Sequence, residues 1–442
     1  MSLSTPAVTV RTLQRSLHEK AKAEPSFRFY SLWDKLCRED VLHEAWRRCR
    51  KNGGAAGIDG VRFADINALG VGLWLGTLQQ ELRTKQYRPQ PLLRVWIPKA
   101  SGGKRPLGIP TIRDRVVQAA ATLVLGPIFE ADLPNEQYGF RPDLSAKMAL
   151  RRVYFHLTEH QRTEVVDADL SDYFGTIPHG ALMKCVARRV ADGCVLGLVK
   201  QWLVASVVER DGKSERRTAE ARRRSRGTPQ GGVISPLLAN LYFRRFILAW
   251  RKSPEAAKTH GAIVNYADDF VICCRAGNGP AAMAKMREFT TRLGLTVNEK
   301  KTRLVRLPEQ RFDFLGYTVG RFHGKDGKPF WGTAPSKKAV QRVCRRIHEE
   351  TSIRWYTATV DKRVQEINTI LRGWCGYFNQ GPVARAYGIV QRYTERRLRR
   401  WLMKKHKRRG TGYRQYPDKH IYGVLGLYKP TKPSRSQPRA KS

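Results

Sequence analysis

The sequence predicts an α+β protein, and three observations support this assignment. Apolar residues at helical spacing prevail in the N-terminal third of the 442-residue chain. The middle contains continuous or alternating apolar runs that are typical of strands, at 164–170, 262–274 and 311–320. Beyond about residue 335 the strand patterns cease and helical spacing returns. We therefore expect a strand-containing central region followed by an all-helical C-terminal part.

The N-terminal third predicts helices interrupted by one Gly-rich turn and one strand. Residues 1–24 are polar and weakly patterned, so we expect a flexible N-terminal arm there. The elements that follow are a helix within 25–50, a turn at 51–60, a helix at about 73–85, a strand at 94–99 and a mostly buried helix at 112–130.

The rest of the chain is divided by turn and cap signals. Helical spacing at 180–208 precedes a segment, 210–226, that holds eight basic residues and three acids and predicts an exposed loop or hairpin. Ser235 with Pro236 predicts a helix N-cap and first residue. The later helices are expected to begin at Pro280 and end at Gly294, to be capped by Ser336, and to cover 360–374 and 389–409.

The charge of the chain is strongly one-sided. It contains 82 Lys and Arg residues against 38 Asp and Glu residues, a formal net charge of +44. A folded protein with this excess repels itself unless an anionic partner neutralises it, and DNA or RNA is the most effective such partner. General solubility is the alternative explanation, and the size of the excess makes it the weaker one.

Several classes of protein are not indicated. The chain has no apolar run of the length needed for a membrane span, and its N-terminus does not resemble a secretory signal. Its eight cysteines form no C-x-x-C pair, so neither a zinc site nor a disulfide framework is expected. We expect a reduced intracellular compartment.

Three carboxylates in apolar strands call for an explanation, because acids are scarce in this chain. Asp169 ends one apolar run, and Asp268 and Asp269 separate two others. Salt bridges, or an ordinary hairpin turn at Asp268 and Asp269, could account for them. Carboxylates from adjacent strands could instead hold two Mg²⁺ ions for phosphoryl transfer in a nucleic-acid polymerase.

The motifs around these acids resemble a known family. Asp169 precedes LSDYFGTIPH, and RGTPQGGVISPLLANLYF, NYADDFVICCR, LTVNEKKT and FDFLGYTV follow in the order of the palm motifs of a reverse transcriptase. IPKASGGKRPLGIPTIRDR and EQYGFRPDLSA resemble the preceding fingers motifs. With GGAAGIDG upstream and LRGWCGYF downstream, residues 25–428 resemble a group II intron-encoded reverse transcriptase, or maturase.

The resemblance implies a right-hand polymerase fold with an antiparallel-sheet palm and an all-α thumb. The implied domains are an N-terminal extension and fingers at 25–160, a palm at 161–330, a helical thumb or maturase domain at 331–428 and a disordered basic tail at 429–442.

The resemblance also implies the roles of individual residues. Asp169, Asp268 and Asp269 would hold two Mg²⁺ ions, assisted by the backbone carbonyl of Leu170. Phe174 would be the aromatic gate that selects dNTPs over rNTPs, although core packing is its alternative role. The residues implied to contact the incoming dNTP are Lys99, Arg105, Phe174, Gln230 and Lys301, and those implied to grip the primer are Phe314, Leu315 and Gly316.

The basic C-terminal helix is expected to bind RNA or an RNA–DNA hybrid, since shape and phosphates dominate recognition of structured RNA. A solvated charged face is the alternative. The expected partners are intron RNA, a template–primer duplex, target DNA and dNTPs. The expected RNA-binding residues are Arg392, Arg396, Arg399, Arg400, Lys404 and Lys405.

The chain departs from the family at two points. Family members commonly carry Phe-Asp where this chain has Phe174 and Gly175, and we expect activity to survive the change. No C-x-x-C pair follows the thumb-like region, so we expect no HNH endonuclease, and compact members of the IIC type look most similar.

The leading functional hypothesis is therefore an RNA-directed DNA polymerase that copies its intron for retrohoming and promotes intron splicing. Two alternatives are a splicing cofactor with a vestigial polymerase and a domesticated polymerase that serves host repair or defence.

Overall fold

Two units make up the chain, and both are interrupted in sequence. The first comprises Met1–Ala149 and Val166–Arg303, and the second comprises Leu150–Val165 and Leu304–Ser442. The predicted boundaries of fingers, palm and thumb do not coincide with this division. The computed structural model describes residues 6–98, 102–211, 214–217, 225–324 and 326–431.

The first unit consists mainly of helices. They are α1 (Pro6–Ala23), α2 (Trp33–Leu36), α3 (Glu39–Asn52), α4 (Phe63–Leu69), α5 (Val71–Arg83), α6 (Ile112–Glu130), α8 (Tyr173–Thr176), α9 (His179–Ala187), α10 (Gly193–Leu203), α11 (Ser235–Lys252), α12 (Pro254–Lys258) and α13 (Gly279–Arg292), while α7 (Ala146–Thr158) passes from the first unit into the second.

Two four-stranded sheets accompany these helices. The strands are β1 (Leu92–Pro98), β2 (Lys104–Ile109), β3 (Glu164–Asp169), β4 (Val207–Asp211), β5 (Ser214–Arg217), β6 (Ala262–Tyr266), β7 (Asp269–Cys274) and β8 (Arg303–Arg306). One sheet has the order β2-β1-β4-β5 and the other β6-β7-β3-β8. In the second sheet β6 and β7 form an antiparallel hairpin, and β3 and β8 contain the points where the chain passes between the units.

Helix α6 is the central element of the first unit. Its apolar residues are buried on all sides, as the sequence predicted for 112–130. Thr111 caps it by accepting a hydrogen bond from the backbone N–H of Asp114 at 3.1 Å. The Asp114 carboxylate in turn accepts bonds from the hydroxyls of Thr111, at 2.9 Å, and Tyr87, at 2.6 Å. A buried carboxylate is tolerated here because several donors satisfy it.

The expectation of a flexible arm at 1–24 is wrong for residues 6–23, which form helix α1. Val10, Leu17 and Ala21 are buried on one face of this helix, a spacing that the surrounding polar residues obscure. Pro127 lies inside α6 and has no N–H to donate to the Leu123 carbonyl four residues earlier. The side chain of Gln14 donates to that carbonyl instead, at 3.0 Å. Residues 1–5 lie outside the described part of the chain.

Two other helix predictions need shorter bounds. The helix predicted within 25–50 is divided into α2 and α3 and begins only at Trp33. Before it, the backbone of Phe29 pairs with Arg189 and Ala191 as a bridge, at 2.8 Å on each side. The region 180–208 divides into α9 and α10. Asp192 ends the connection between them by accepting from the backbone N–H of Cys194 at 3.0 Å and of Leu32 at 2.8 Å.

Cap and turn predictions are largely confirmed. Pro236 stands in the first turn of α11, but the Ser235 hydroxyl donates to the Pro229 carbonyl at 2.8 Å and does not cap the helix. Helix α13 is followed by Gly294 with φ of +67°, as a stop signal requires. The described part of 210–226 contains the β4–β5 hairpin, and 212–213 and 218–224 lie outside the described residues.

The second unit joins a small sheet to a helical part. Strands β9 (Phe312–Phe314), β10 (Tyr317–His323) and β11 (Pro329–Pro335) form an antiparallel sheet of order β11-β10-β9. The helices α14 (Lys337–Glu350), α15 (Val360–Tyr377) and α16 (Ala384–Lys405) follow. Within the described residues up to 431, strands cease after Pro335, as predicted.

The helical part of the second unit has its own core. Ser336 caps α14 by accepting from the Ala339 N–H at 3.2 Å. Ile347, Ile367, Leu371 and Trp401 pack together in its interior. A single apolar cluster is thus shared by α14, α15 and α16. The predicted tail at 429–442 lies outside the described residues apart from 429–431.

Two expected absences can be compared with the structure. All eight cysteines are described, and each carries a free thiol. Among the described helices, none has the length and apolar character that crossing a membrane requires.

The burial of α1 generates a stability prediction. Replacing Leu17, 6% exposed, by Ala should lower the free energy of unfolding by about 2 to 5 kcal/mol, because a cavity remains. A thermal melt followed by circular dichroism should show a lower midpoint. Val8 lies on the same helix but is 50% exposed, so Val8→Ala should change stability by no more than about 0.5 kcal/mol. Equal midpoints for the two variants would contradict the docking of α1.

Candidate active site

The β6–β7 hairpin presents two acids at a tight turn. Tyr266 pairs with Asp269, so Ala267 and Asp268 form a two-residue connection. Ala267 has φ of +60°, a backbone strain that its surroundings must stabilise. The side chain of Asn265 does so by donating to the carbonyl of Ala267 at 2.9 Å. The hairpin-turn interpretation is therefore right as geometry, and it coexists with the acidic cluster described below.

A neighbouring segment supports this turn from behind. The backbone N–H of Tyr138 donates to the carbonyl of Asn265, and the N–H of Asn265 donates to Glu136, each at 2.8 Å. A Cβ at position 139 would lie 2.5 Å from the nitrogen of Ala267, so only glycine allows this approach. The motif that contains Gly139 thus acts as a rigid support for the Asp268–Asp269 turn.

Asp169 is held by the segment that precedes β8. Asn298 donates from its side chain to the Asp169 carboxylate at 2.9 Å, and the Lys301 ammonium lies 3.2 Å from both carboxylate oxygens. The backbone N–H of Asp169 donates to the Thr302 hydroxyl at 3.2 Å. These contacts fix the carboxylate in position and place Lys301 against Asp169, while the contact of Lys301 with a dNTP stays a prediction.

The backbone around Leu170 is also fixed. The N–H of Asn298 donates to the carbonyl of Asp169, and the N–H of Ser171 donates to Thr296, each at 2.8 Å. Leu170 is therefore held as a bridge against Val297. Its carbonyl has a defined direction at the end of β3, although no described contact assigns that carbonyl a ligand role.

The acids influence one another. The pKa of Asp269 rises to about 6, because the surrounding protein desolvates its carboxyl and because the charges of Asp268, Asp169 and Asp167 repel its charge. The Lys301 ammonium opposes this increase. Strands β3 and β7 are neighbours in the sheet, so the end of one and the start of the other bring Asp169 and Asp269 together.

The donor chemistry of this cluster suits a hard divalent cation, since it consists of carboxylates and a backbone carbonyl. In the described ranges, however, no three Asp, Glu, His or Cys side chains converge as a metal-binding group. The Lys301 ammonium is the positive charge that lies against Asp169. The cluster is thus a concentration of like charges that Lys301 neutralises in part.

A second set of contacts surrounds Gln230. Its side-chain carbonyl accepts from Arg105 at 3.0 Å, and its side-chain N–H donates to the Asp172 carboxylate at 2.6 Å. Its backbone carbonyl accepts from Gly108 on β2 at 2.7 Å. Arg105 and Gln230, which the sequence assigned separately to nucleotide binding, are therefore direct neighbours.

Phe174 belongs to the same surface. Its backbone carbonyl accepts from the N–H of Thr228 at 2.7 Å, which joins it to the loop that carries Gln230. Its ring meets that of Tyr173 edge to face, with centroids 5.8 Å apart. Tyr173 is buried and Phe174 is partly exposed, and the role of Phe174 as an aromatic gate stays a prediction.

The departure from the family at Gly175 has a local physical reason. A Cβ at position 175 would lie 2.0 Å from Oδ2 of Asp172. The Asp172 carboxylate therefore occupies the space in which any larger residue at 175 would begin.

Two predicted sites remain, namely Lys99 and the turn that contains Leu315 and Gly316. Lys99 lies outside the described residues. In the second unit Leu315 and Gly316 have φ of +51° and +80° and form the turn between β9 and β10. The Tyr377 hydroxyl donates to the carbonyl of Leu315 at 2.9 Å, while Phe314 is buried. This turn is rigid, and its contact with a primer stays a prediction.

Helix α16 separates its basic residues into two groups. Arg392, Arg396, Arg400 and Lys404 are exposed and recur every four residues, so they form one stripe. Lys405 donates to the carbonyls of Tyr356 at 2.8 Å and Ala358 at 2.9 Å. It therefore serves in part to hold the preceding turn.

The prediction that Arg399 binds RNA is wrong. Its side chain is fully buried. Its Nε donates to the carbonyl of Tyr416 at 2.8 Å, and its guanidinium pairs with Asp418. Periodicity alone could not distinguish this arginine from Arg400, because both lie in one basic run.

Sequence reasoning missed two residues of the site. Asn298 lies inside the motif LTVNEKKT, three residues before Lys301, but it was not singled out. Asp172 lies three residues after Asp169 in a chain short of acids. The scarcity of acids in the chain was the available signal for Asp172. For Asn298 the signal was its position in the motif, since a buried acid or amide needs a hydrogen-bond partner.

The raised pKa of Asp269 generates a pH prediction. A carboxyl whose pKa is higher in the folded than in the unfolded chain destabilises the fold when ionised, and this penalty disappears as the pH falls below that pKa. In a buffer with a chelator, Asp269→Asn should therefore melt at a higher temperature than the natural protein at pH 8. The difference should shrink as the pH falls from 8 to 5. A pH-independent difference would contradict the raised pKa.

Comparison with known proteins gives concordant results. Residues 97–319 match the family described as reverse transcriptase (RNA-dependent DNA polymerase), and residues 340–417 match the group II intron, maturase-specific domain. Protein YkfC of Escherichia coli is 33% identical over 368 residues, which cover 75% of this chain and 93% of YkfC.

Two relatives are described as intron proteins. Group II intron-encoded protein LtrA of Lactococcus lactis is 31% identical over 243 residues, or 51% of this chain and 37% of LtrA. An uncharacterized 91 kDa protein in the cob intron of Schizosaccharomyces pombe is 24% identical over 416 residues, or 78% of this chain and 50% of that protein. The match thus spans half or less of these two relatives.

The reverse transcriptase match covers about half of the chain and contains Asp169, Asp268 and Asp269, and the maturase-specific match contains the basic stripe of α16. The resemblance seen in the motifs is confirmed. The chain belongs to the reverse transcriptase family, and it carries the maturase-specific domain of group II intron proteins.

Proposed function

We propose that this protein is an RNA-directed DNA polymerase whose active centre is the cluster of Asp169, Asp268 and Asp269. One observation carries the proposal: the neighbouring strands β3 and β7 bring Asp169 near Asp269, and Asn298 and Lys301 hold Asp169 in place. Family membership indicates the class of reaction, and the carboxylates are ligands of the kind that such a reaction requires for its metal ions. Asp169, Asp268, Asp269 and the Leu170 carbonyl are the groups that would hold two Mg²⁺ ions.

Bound Mg²⁺ would supply the activation of the primer 3′-hydroxyl and the stabilisation of charge on the reacting phosphate. The residues of the chain position the reactants around that centre. Asn298 keeps the Asp169 carboxylate oriented, and the Ala267–Asp268 turn keeps the other two acids fixed. Lys301 lowers the repulsion among the carboxylates before any cation arrives.

Nucleotide binding is proposed for the neighbouring surface. The Arg105 guanidinium suits a triphosphate because its forked donors match phosphate oxygens. The partly exposed ring of Phe174 lies on α8, whose Phe174 carbonyl accepts a backbone hydrogen bond from the loop that carries Gln230, so the two residues are held on joined segments. Such a fixed aromatic wall is suited to excluding the 2′-hydroxyl of an rNTP. Lys99 is proposed as a further triphosphate contact from its motif alone.

Intron RNA is proposed as the partner of the second unit. The stripe formed by Arg392, Arg396, Arg400 and Lys404 is exposed along α16, within the region that matches the maturase-specific domain. Four cations spaced by one helical turn can follow a phosphate backbone without reading bases. The template–primer duplex and target DNA are the other proposed nucleic-acid partners, and promotion of splicing is the proposed second activity.

The polymerase proposal predicts the loss of one activity and the retention of another. Asp268→Ala should abolish Mg²⁺-dependent dNTP incorporation on an RNA template, since it removes a carboxylate from the centre. Intron splicing promoted by the same variant should be unchanged, because α16 carries the RNA contacts. Primer extension and a splicing assay on one purified sample would measure both.

The matched control is Asp34→Ala, because the Asp34 side chain is 61% exposed and pairs only with its neighbours Lys35 and Ser31 among described contacts. This variant should retain both activities. Undiminished extension by Asp268→Ala would refute the assigned centre. Extension by neither the natural protein nor the control, with splicing intact, would favour a splicing cofactor without polymerase activity.

The RNA proposal predicts a change in salt dependence. Replacing both Arg396 and Arg400 by Ala should weaken binding of intron RNA, and the slope of log K against log salt should fall by about one to two, since each lost phosphate contact removes nearly one unit. Filter binding across a salt series would measure this. Arg62→Ala with Arg292→Ala removes the same charge from exposed sites of the first unit. An equal change in that control would show that the stripe has no special role.

A further inference from the structure

The Gln230 side chain lies between two charged groups of opposite sign. Arg105 donates to its carbonyl oxygen at 3.0 Å, and Asp172 accepts from its nitrogen at 2.6 Å. An arginine can only donate and an ionised carboxylate can only accept, so one orientation of the amide satisfies both. The reversed amide would face each charge with the wrong group. Asp172 and Arg105 together therefore select the orientation of the Gln230 amide.

The backbone of Gln230 is fixed independently of these contacts. Its carbonyl accepts from the N–H of Gly108 at 2.7 Å. A Cβ at position 231 would lie 2.4 Å from the Gly108 carbonyl oxygen, so the two backbones touch. Only the side-chain torsion angles of Gln230 are then left to vary. The hydrogen bond to Asp172 restricts them.

The conformation of Asp172 directs its carboxylate to Gln230. Asp172 has φ of +45°, a left-handed conformation that Asp tolerates better than most residues. It stands at the N-cap of α8, but within that helix its side chain makes no capping hydrogen bond. The turn is formed by its backbone carbonyl, which accepts from Gly175 at 2.9 Å. The carboxylate is thus not needed to build the turn that carries it.

Gly175 provides the space for this arrangement. The three atoms that a Cβ at position 175 would approach most closely are Oδ2, Cγ and Oδ1 of Asp172, at 2.0, 2.6 and 2.9 Å. Since those atoms belong to the end of a side chain, a larger residue would displace the carboxylate without breaking the fold. Gly175 and Asp172 therefore form a complementary pair.

We propose that Asp172 is a positioning residue that orients the Gln230 amide toward the incoming nucleotide, and that Gly175 is required because it admits the Asp172 carboxylate. The inference rests on the proposed function in one respect, namely that Gln230 meets the nucleotide. Asp172 acts through Gln230 and makes no contact with the reacting atoms. Its removal therefore affects nucleotide affinity more than the chemical step.

The experiment measures KM for dNTP and kcat on an RNA template with the full chain. Asp172→Ala should raise KM about tenfold with a smaller change in kcat, the size expected for loss of a hydrogen bond to a charged group. Asp172→Asn keeps an acceptor oxygen and should recover most of the affinity. In a double-mutant cycle, Asp172→Ala combined with Gln230→Ala should show the same KM as Gln230→Ala alone.

Substitution of Gly175 provides an independent test of the same proposal. Gly175→Ala should raise KM as Asp172→Ala does, and the two substitutions together should raise it no further. Gly180→Ala is the control, because its Cβ would meet open space on α9, and its kinetics should equal those of the natural protein.

The outcomes separate the two proposals. Loss of kcat with unchanged KM in Asp172→Ala, or additive effects in the double-mutant cycle, would overturn the positioning role while leaving the polymerase intact. An unchanged KM in Gly175→Ala would overturn the role of the glycine. Failure of the natural protein to extend any primer, although correctly folded by its melting curve, would overturn the proposed function itself.

Discussion

The candidate site of the first unit depends on holding like charges near one another at the ends of two strands. Burial of the Asp269 carboxyl, together with repulsion from the charges of Asp268 and Asp169, raises the pKa of Asp269. The fold tolerates the cluster because Asn298 and Lys301 hold one acid and a strained, supported turn holds the others. Because a bound cation would relieve the repulsion among these carboxylates, the repulsion favours the binding of a cation.

Glycines allow close approaches between neighbouring segments around the candidate site. Gly139 lies against the Asp268–Asp269 turn, Gly231 lies against β2, and Gly175 leaves room for the Asp172 carboxylate. At Gly139 and Gly231 a side chain would separate two segments that hydrogen bonds hold together. The surface proposed to face the nucleotide is therefore a set of segments joined to one another by their backbones. This makes the positions of Phe174 and Gln230 depend on the fold and not on flexible loops.

Much of this organisation could be predicted from the sequence, and the failures have particular causes. The strands of the β6–β7 hairpin and the buried α6 were predicted because alternation and apolar runs are local signals. Helix α1 was missed because its apolar face is sparse and its docking is completed by Gln14 and a carbonyl that Pro127 leaves without a donor. Arg399 was assigned to RNA because a basic run does not reveal which member turns inward.

The sequence by itself determined most element types, the three candidate carboxylates and the family, because these depend on residue identity and on short-range spacing. The tertiary structure alone decided which polar groups meet. Asn298 bonds to Asp169 across 129 residues, and Asp172 bonds to Gln230 across 58 residues. Arg399 lies in the core and bonds to Tyr416 across 17 residues. Hydrogen bonds between distant segments leave no periodic signature in the chain, since the backbone path brings the partners together.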